Sequence, residues 1–247
     1  MKKLFFKLIG LLTILSIQTF AQEGGLIIDS DSLFSPSRFS TSLNVLFSVA
    51  IVGFVPFLLM STTCFIRVVI ILGMIRGAIG TQQAPPNPVI VSLALFLTIF
   101  VMTPVFEGIY QDVLVPYNDG DITQIQALKD GGQKLKEFML KHTSEKDLGL
   151  FIEFSRIPKP ESLSQTPIYV VIPSFILSEL KTAFQIGFIL YIPFVVIDLI
   201  VSNVLLSLGM FMLSPAMVST PFKLLLFVLT DGWNLIVKGL LTSYIIK

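Results

Sequence analysis

The 247-residue chain has a single cysteine, Cys64, and a single histidine, His142. It therefore cannot form an internal disulfide, a CxxC or HExxH metal site, or a catalytic group that needs several of these residues. It also has no GxxxxGK[ST], GxGxxG or GxSxG motif, the patterns typical of nucleotide-binding proteins and serine hydrolases. We expect no enzymatic activity, no catalytic residue, no cofactor and no metal ion.

Charged residues are also scarce, at 13% of the chain, and 17 Lys and Arg nearly balance 16 Asp and Glu. A nucleic-acid-binding surface needs an excess of basic residues to displace counterions, so we expect no nucleic-acid partner. Apolar residues, in contrast, make up 53% of the chain, and the mean hydropathy is +0.85. This composition indicates an integral membrane protein built from α-helices.

The N-terminus has the pattern of a secretory signal. In residues 1–21, lysines precede a short apolar run and a small-residue step that ends at Ala21. This pattern predicts a cleaved signal peptide, with an uncleaved membrane anchor as the alternative. Residues 22–42 are rich in Ser and Gly and lack helical periodicity, so we expect an irregular periplasmic segment there.

Residues 43–106 predict a first pair of hydrophobic helices. Uncharged stretches of 24 and 18 residues, at 43–66 and 89–106, are each long enough to cross a membrane. Arg67 and Arg76 are the only charged residues between them. Because positive residues favour the cytoplasmic side, these two arginines place the connection 76–88 on that side.

Residues 107–181 are much more highly charged than the rest of the chain, because they hold nineteen of its thirty-three charged residues. This composition predicts a helical insertion outside the membrane, on the periplasmic side. Apolar residues at helical spacing predict two short amphipathic helices within it. We expect breaks at Gly131-Gly132 and around Pro158 and Pro160.

Residues 182–247 predict a second hydrophobic helix pair, interrupted by a loop at 209–221 that contains glycine and two prolines. The last helix carries Lys223, Asp231 and Lys238 at intervals of eight and seven residues. On one continuous helix these charges would lie along one side, which must then contact protein or water and not lipid.

Several isolated charged residues lie in or beside the apolar stretches: Glu179, Lys181, Asp198, Lys223 and Asp231. A charge at the bilayer centre costs at least about 2.5 kcal/mol, so each needs a partner or a water-filled cavity. They could form a proton relay, or ion pairs that fix subunits together. Glu179, Lys181 and Lys238 could instead reach water at a membrane boundary, which Asp198 lies too deep to do.

Six sequence motifs resemble those of a known family. They are RGAIGTQQAPPNPVI, MTPVFEGIY, PSFILSELKTAFQIGF, YIPFVVIDLIV, LGMFMLSP and PFKLLLFVLTDGWNL, in register over about residues 45–237. Together they resemble the FliP family of the flagellar type III secretion export gate. The resemblance implies a non-enzymatic subunit that passes unfolded flagellar proteins across the bacterial inner membrane.

The resemblance also implies partners and a location. Five copies would join FliQ and FliR in a helical, channel-forming assembly of the flagellar basal body, energised by further export-apparatus proteins. Much of the assembled complex would lie on the periplasmic side, so that apparently transmembrane helices pack on sister subunits. Such packing would supply protein partners for charges that lipid cannot accommodate.

Particular residues match the family's motifs. Met210, Phe211 and Met212 match a methionine gasket that closes the channel entrance, with Phe211 where many relatives have a third methionine. Unbranched methionines suit a deformable apolar seal, although such clusters also fill ordinary protein cores. Glu179 and Lys223 lie in the matching SELK and PFK motifs, and we expect them, with Asp198, to form ion pairs between adjacent copies.

Two other functions fit the charge pattern. A proton-coupled transporter of small solutes would use Asp198 or Asp231 as its titrating group, but the chain has no inverted repeat of the kind such transporters carry. A membrane scaffold without a pathway of its own would differ from the gate subunit only at the gasket.

Overall fold

The computed structural model describes residues 49–50, 53–54, 56–81, 84–155, 160 and 162–245. The predicted signal peptide (1–21) and periplasmic segment (22–42) lie outside the described residues. The chain divides into two units, Met1–Phe54 and Val55–Lys247. The four described residues of the first unit are helical, and the elements below all belong to the second unit.

Every regular element in the described ranges is helical, which confirms the all-α prediction. The nine α-helices described in the second unit are α1 (Pro56–Thr62), α2 (Phe65–Ile79), α3 (Asn87–Ile109), α4 (Val115–Asp119), α5 (Gln124–His142), α6 (Glu145–Ser155), α7 (Ile168–Ser207), α8 (Pro215–Leu229) and α9 (Gly232–Ile245). A π-helical turn, Tyr110–Leu114, joins α3 to α4, and a 3-10 turn, Leu163–Gln165, precedes α7.

Two helices are long and apolar enough to cross a membrane. They are Asn87–Asp119, which joins α3 to α4, and the 40-residue α7. Two bent pairs pass the same test together, α1 with α2 at 83° and α8 with α9 at 62°. The described residues thus hold up to four spans if each bent pair counts as one, in agreement with the predicted four hydrophobic helices.

The structure places the ends of the predicted insertion differently. The first long helix runs past residue 107 to Asp119, and α7 begins at Ile168, directly after Pro167. Proline at this position has no N–H to leave unpaired at the helix start, so it favours a helix beginning there. The predicted break at Gly131-Gly132 is wrong, because α5 continues through both glycines. Each glycine costs only about 1 kcal/mol in a helix, which packing of the buried end of α5 offsets.

The prediction of one continuous last helix after a loop at 209–221 is wrong in two respects: α8 already begins at Pro215, and α8 and α9 are separate helices. The chain bends by 62° between α8 and α9, and Asp231 in the bend has φ +50°. Lys223 therefore lies on a different helix from Lys238, and the three charges do not share one side. The bend packs the Phe227 ring edge-on against Trp233, with ring centroids 5.2 Å apart.

The core lies where α2 packs parallel along α7. Arg67 meets Glu179 near one end of this contact, and Met74 lies against Gly187 farther along. One buried apolar cluster joins α2, α3, α7, α8 and α9: Val68, Ile71, Leu72, Ile75, Ala94, Ala183, Phe194, Phe227 and Leu240 are among its members. A second cluster attaches α5 to the long helices through Cys64, Met102, Phe138, Met139, Val171, Phe175 and Tyr244.

Candidate functional site

A buried ion pair joins the start of α2 to the first third of α7. Arg67 and Glu179 are 1% and 0% exposed, and Arg67 Nη2 donates a hydrogen bond to Glu179 Oε1. Tyr244 of α9 donates its hydroxyl proton to Glu179 Oε2, and the Arg67 guanidinium lies 4.1 Å from the Tyr244 ring centroid. One carboxylate thus connects three helices that are far apart in the sequence.

A second ion pair joins α7 to α8. Lys223 Nζ lies 2.6 Å from Asp198 Oδ2, and Ser219 donates to Asp198 Oδ1 at 2.5 Å. Lys223 is buried, whereas Asp198 is 38% exposed. Asp198, which the sequence placed too deep to reach water unaided, therefore has two partners in its own chain.

These contacts bear on the predicted pair between Glu179 and Lys223 of adjacent copies. The structure gives each residue a different partner within the chain, Arg67 for Glu179 and Asp198 for Lys223. The pair between copies stays a prediction, and neither charge requires it for neutralisation. Sequence reasoning missed Arg67 as a partner, although its isolation in an apolar stretch was a usable signal.

The two predicted cytoplasmic-flank arginines differ in position. Arg76 lies beside the connection, where its Nη1 donates to the Pro85 carbonyl at 3.2 Å and to Asn87 Oδ1 at 2.5 Å. Arg67 lies at the opposite end of α2, buried against Glu179. Only Arg76 is therefore placed to flank the connection.

A smaller polar cluster attaches α6 to α7. Ser178 donates to Asp147 Oδ2 at 2.8 Å and accepts from the Ser144 N–H at 3.0 Å. Lys181 Nζ lies 3.7 Å from Asp147 Oδ1 and is half exposed. Lys181 therefore has a partner in α6, which the sequence pattern did not suggest.

The predicted gasket residues lie in the tip loop, which we define as residues 208–214 between α7 and α8. Their side chains are exposed. Phe211 is 76% exposed, Met212 is 100% exposed, and Met210 is also exposed. Gly209, with φ +72°, begins the turn that brings them to the surface.

The tip loop extends beyond the neighbouring helix. Gly80, just after α2, lies beside Thr220, and residues 219 and 223 of α8 contact Asp198. The end of α2 therefore lies level with Asp198. Since α7 continues to Ser207 at 1.5 Å per residue, the tip loop projects about 15 Å farther.

The described ranges contain no group of three or more His, Cys, Asp or Glu side chains that could hold a metal ion. A groove of about 490 Å³ lies between α3 and α5, with His142 and Tyr244 among its lining residues. The expectations of no metal and no cofactor stay predictions.

Comparison with known proteins decides the family. The sequence model of the FliP family matches residues 48–240, which include α1 to α8 and more than half of α9. The chain belongs to the FliP family. This confirms the resemblance drawn from the six motifs, and it makes the chain a flagellar biosynthesis protein with apolar helices compatible with a membrane location.

Individual FliP relatives are similar over most of their length. The flagellar biosynthetic protein FliP of Bacillus subtilis (strain 168) is 48% identical over 209 residues, covering 85% of this chain and 95% of the relative. That of Caulobacter vibrioides is 48% identical over 196 residues, covering 79% and 74%. That of Aquifex aeolicus is 45% identical over 205 residues, covering 82% and 86%. FliP is a component of flagellar biosynthesis and is not named as an enzyme.

Proposed function

We propose that this FliP-family chain is a pore-forming core subunit of the flagellar type III secretion export gate. In this role it passes unfolded flagellar proteins across the bacterial inner membrane. Five copies assemble with FliQ and FliR in the flagellar basal body, beside further export-apparatus proteins. The observation that carries the proposal is the tip loop, whose exposed Met210, Phe211 and Met212 project beyond the packed helices.

The tip loop has the chemistry of an apolar seal. Methionine side chains are unbranched and flexible, so they can close around a passing chain and close again after it has left. Several copies around one axis would bring their tip loops together into a ring, and such an apolar constriction blocks ions by excluding water. Phe211 keeps this ring apolar but is stiffer than methionine.

Exposed apolar surface along α7 supports assembly. Phe188 and Ile189 on this helix are each about two-thirds exposed, and Leu199 and Ile200 are more than half exposed. Patches of this kind mark contacts with protein or lipid. The bends of 83° and 62° in two of the four candidate spans favour packing on sister subunits over straight passage through lipid. Much of the assembled complex would then lie on the periplasmic side.

The relative position of two connections supports the proposed orientation. Gly80, at the connection that Arg76 flanks, lies beside Thr220 of the α7–α8 hairpin. The hairpin's tip loop therefore extends from the same end of the unit as this connection. If Arg76 marks the cytoplasmic side, the gasket faces the cytoplasm, where export substrates enter.

The first test measures ion leakage through the closed assembly. Changing both Met210 and Met212 to glycine removes most of the seal, so we expect the purified complex to conduct small ions across planar bilayers when the parent complex does not. Ile125→Gly is the matched control, because Ile125 is similarly exposed but lies on α5. An assembly that stays ion-tight with both methionines replaced would favour the scaffold without a pathway.

A second test concerns the transporter alternative, which the family membership does not favour. Asp198→Asn weakens a partly exposed ion pair but keeps a hydrogen-bonding group, so we expect only about 1 kcal/mol loss of stability. Assembly should weaken correspondingly. In a proton-coupled transporter the same change would abolish proton-linked uptake into vesicles, and that result would contradict the export-gate proposal.

A further inference from the structure

The only histidine of the chain lies in the buried contact between α5 and α9. His142 is the last residue of α5 and is 4% exposed. Its ring centroid lies 4.5 Å from that of Phe138 and 5.1 Å from that of Tyr244. The end of α5 is thus packed against α9 through an imidazole, a side chain that can gain a proton near neutral pH.

Hydrogen bonding assigns a proton to Nδ1 of this imidazole. Nδ1 lies 2.9 Å from the Phe138 carbonyl oxygen, which can only accept, so Nδ1 carries the proton. Nε2 has no hydrogen-bond partner among the described residues. Burial lowers the pKa of His142 below its ordinary value of 6.5. Backbone hydrogen bonding with Phe138 and Tyr244 acts in the opposite direction and only partly offsets this, while the Arg67 charge adds to the lowering.

The surrounding charges do not favour a cation at this position. On α2, Arg67 already contacts the Tyr244 ring, and the carboxylate of Glu179 on α7 is shared between Arg67 and the Tyr244 hydroxyl. On α6, Asp147 is buried and bonded to Ser178, with Lys181 close by. The α5 residues that line the groove near His142 include Lys134, Glu137 and Lys141, and those of α3 are Val101, Pro104, Val105 and Gly108. Protonated His142 would therefore be an additional buried cation without a carboxylate of its own.

The groove between α3 and α5 is where a protonated His142 could become hydrated. It measures about 490 Å³ and has both His142 and Tyr244 in its lining. His142 Nε2 is itself buried, so a charged imidazole must shift from its present position to be hydrated there. A shift away from the Tyr244 ring would loosen the α5–α9 contact.

We propose that His142 is an acid-sensitive contact that holds the end of α5 against α9 when neutral and releases it when protonated. The region controlled is the end of α5 and, through the short connection at residues 143–144, the start of α6. This regulation is independent of the pore and does not require the tip loop.

Titration of the intact chain tests the proposal directly. Because the chain has one histidine, uniform labelling of histidine with ¹³C and ¹⁵N gives a single ring spin system in the detergent-solubilised protein. We expect the Nδ1–H tautomer at pH 7.5 and a titration midpoint below 6.5. A midpoint at or above 6.5 would overturn the proposal.

Release of the contact has its own readout. The unfolded chain binds the proton at about pH 6.5 and the folded chain only at lower pH, so stability is lost as pH falls below 6.5. We expect hydrogen exchange in the last turn of α5, corrected for intrinsic rates, to become at least about two-fold faster at pH 5.0 than at pH 7.5. Exchange in α8 should change much less. Unaltered exchange in α5 at a pH where the ring is protonated would overturn the proposal.

Two variants separate titration from packing. His142→Phe keeps an aromatic ring against Tyr244 but cannot gain a proton, and His142→Asn keeps a short polar group. In both, we expect the pH dependence of exchange in α5 to disappear between pH 7.5 and 5.0. If a variant fails to fold, the titration and hydrogen-exchange measurements on the unaltered protein still test the proposal. Persistence of the dependence in a folded variant would contradict the assignment to His142.

Discussion

Glu179→Ala is expected to lower the free energy of unfolding by about 3–5 kcal/mol, because removing one partner of a buried ion pair leaves the other charge uncompensated. Arg67 would remain 1% exposed without its carboxylate, and the Tyr244 hydroxyl would lose its acceptor. In thermal unfolding of the detergent-solubilised chain, followed by circular dichroism at 222 nm, the midpoint should fall by about 10 °C.

The matched control is an ion pair on the surface. Lys134 Nζ lies 2.7 Å from Asp112 Oδ2, with both side chains exposed. Asp112→Ala should cost less than about 1 kcal/mol, because water and salt screen such pairs. Replacing both buried partners together, Arg67→Met with Glu179→Leu, should recover much of the loss, since no lone charge then remains. Equal small losses for Glu179→Ala and Asp112→Ala would refute the structural role of the buried pair.

Gly232→Ala is expected to cost about 2–3 kcal/mol through overpacking at the α8–α9 bend. A Cβ atom at this position would lie 2.3 Å from Cε2 and 2.4 Å from Cδ2 of the Phe227 ring. That ring has little freedom to move, because it is buried and packs on Phe194 and Trp233. Thermal unfolding by circular dichroism measures the loss.

Substitution of Gly239, which lies in α9 like Gly232, should have the opposite effect on stability. No atom of the described residues outside its own helix backbone lies within 4 Å of where its Cβ would be. Gly239→Ala should therefore raise stability by about 0.5–1 kcal/mol, the usual gain in helix propensity. Stabilisation by both substitutions would show that the close contact at Gly232 does not exist in solution.

The long hydrophobic helices could be predicted from the sequence, because uncharged stretches of this length have few alternatives to a membrane-type helix. The family could also be identified, because its motifs occur in order along the chain. The position of Met210 and Met212 in a loop followed from the proline- and glycine-containing break, whereas their exposure did not, because methionine clusters also fill protein cores. None of these inferences required knowledge of which helices pack together.

The pairing of charges could not be predicted, because it depends on tertiary packing. Glu179 and Lys223 both required partners. The register of α2 against α7 places Glu179 beside Arg67, which lies 112 residues away in the sequence. The sequence alone contains no measure of that register, so a partner on an adjacent copy was an equally consistent interpretation.

At helix boundaries, tertiary packing can either continue a helix where the local sequence favours a break or break a helix where the local sequence favours continuation. Gly131-Gly132 favours a break, yet α5 continues, since its following turns are anchored by buried Phe138 and Met139. Near Asp231 the spacing of charges favoured one helix, yet the chain bends where Gly232 admits the Phe227 ring. The outcome at each site depends on a neighbour that sequence periodicity does not identify.

The central claim is that these apolar helices with isolated charges are built to contact other protein subunits. Native mass spectrometry of the complex extracted in mild detergent from cells with a tagged copy of the chain tests this claim most directly. The account predicts a large, defined hetero-oligomer with several copies of this chain together with other export-gate proteins. A stable monomer or dimer of this chain alone would contradict it.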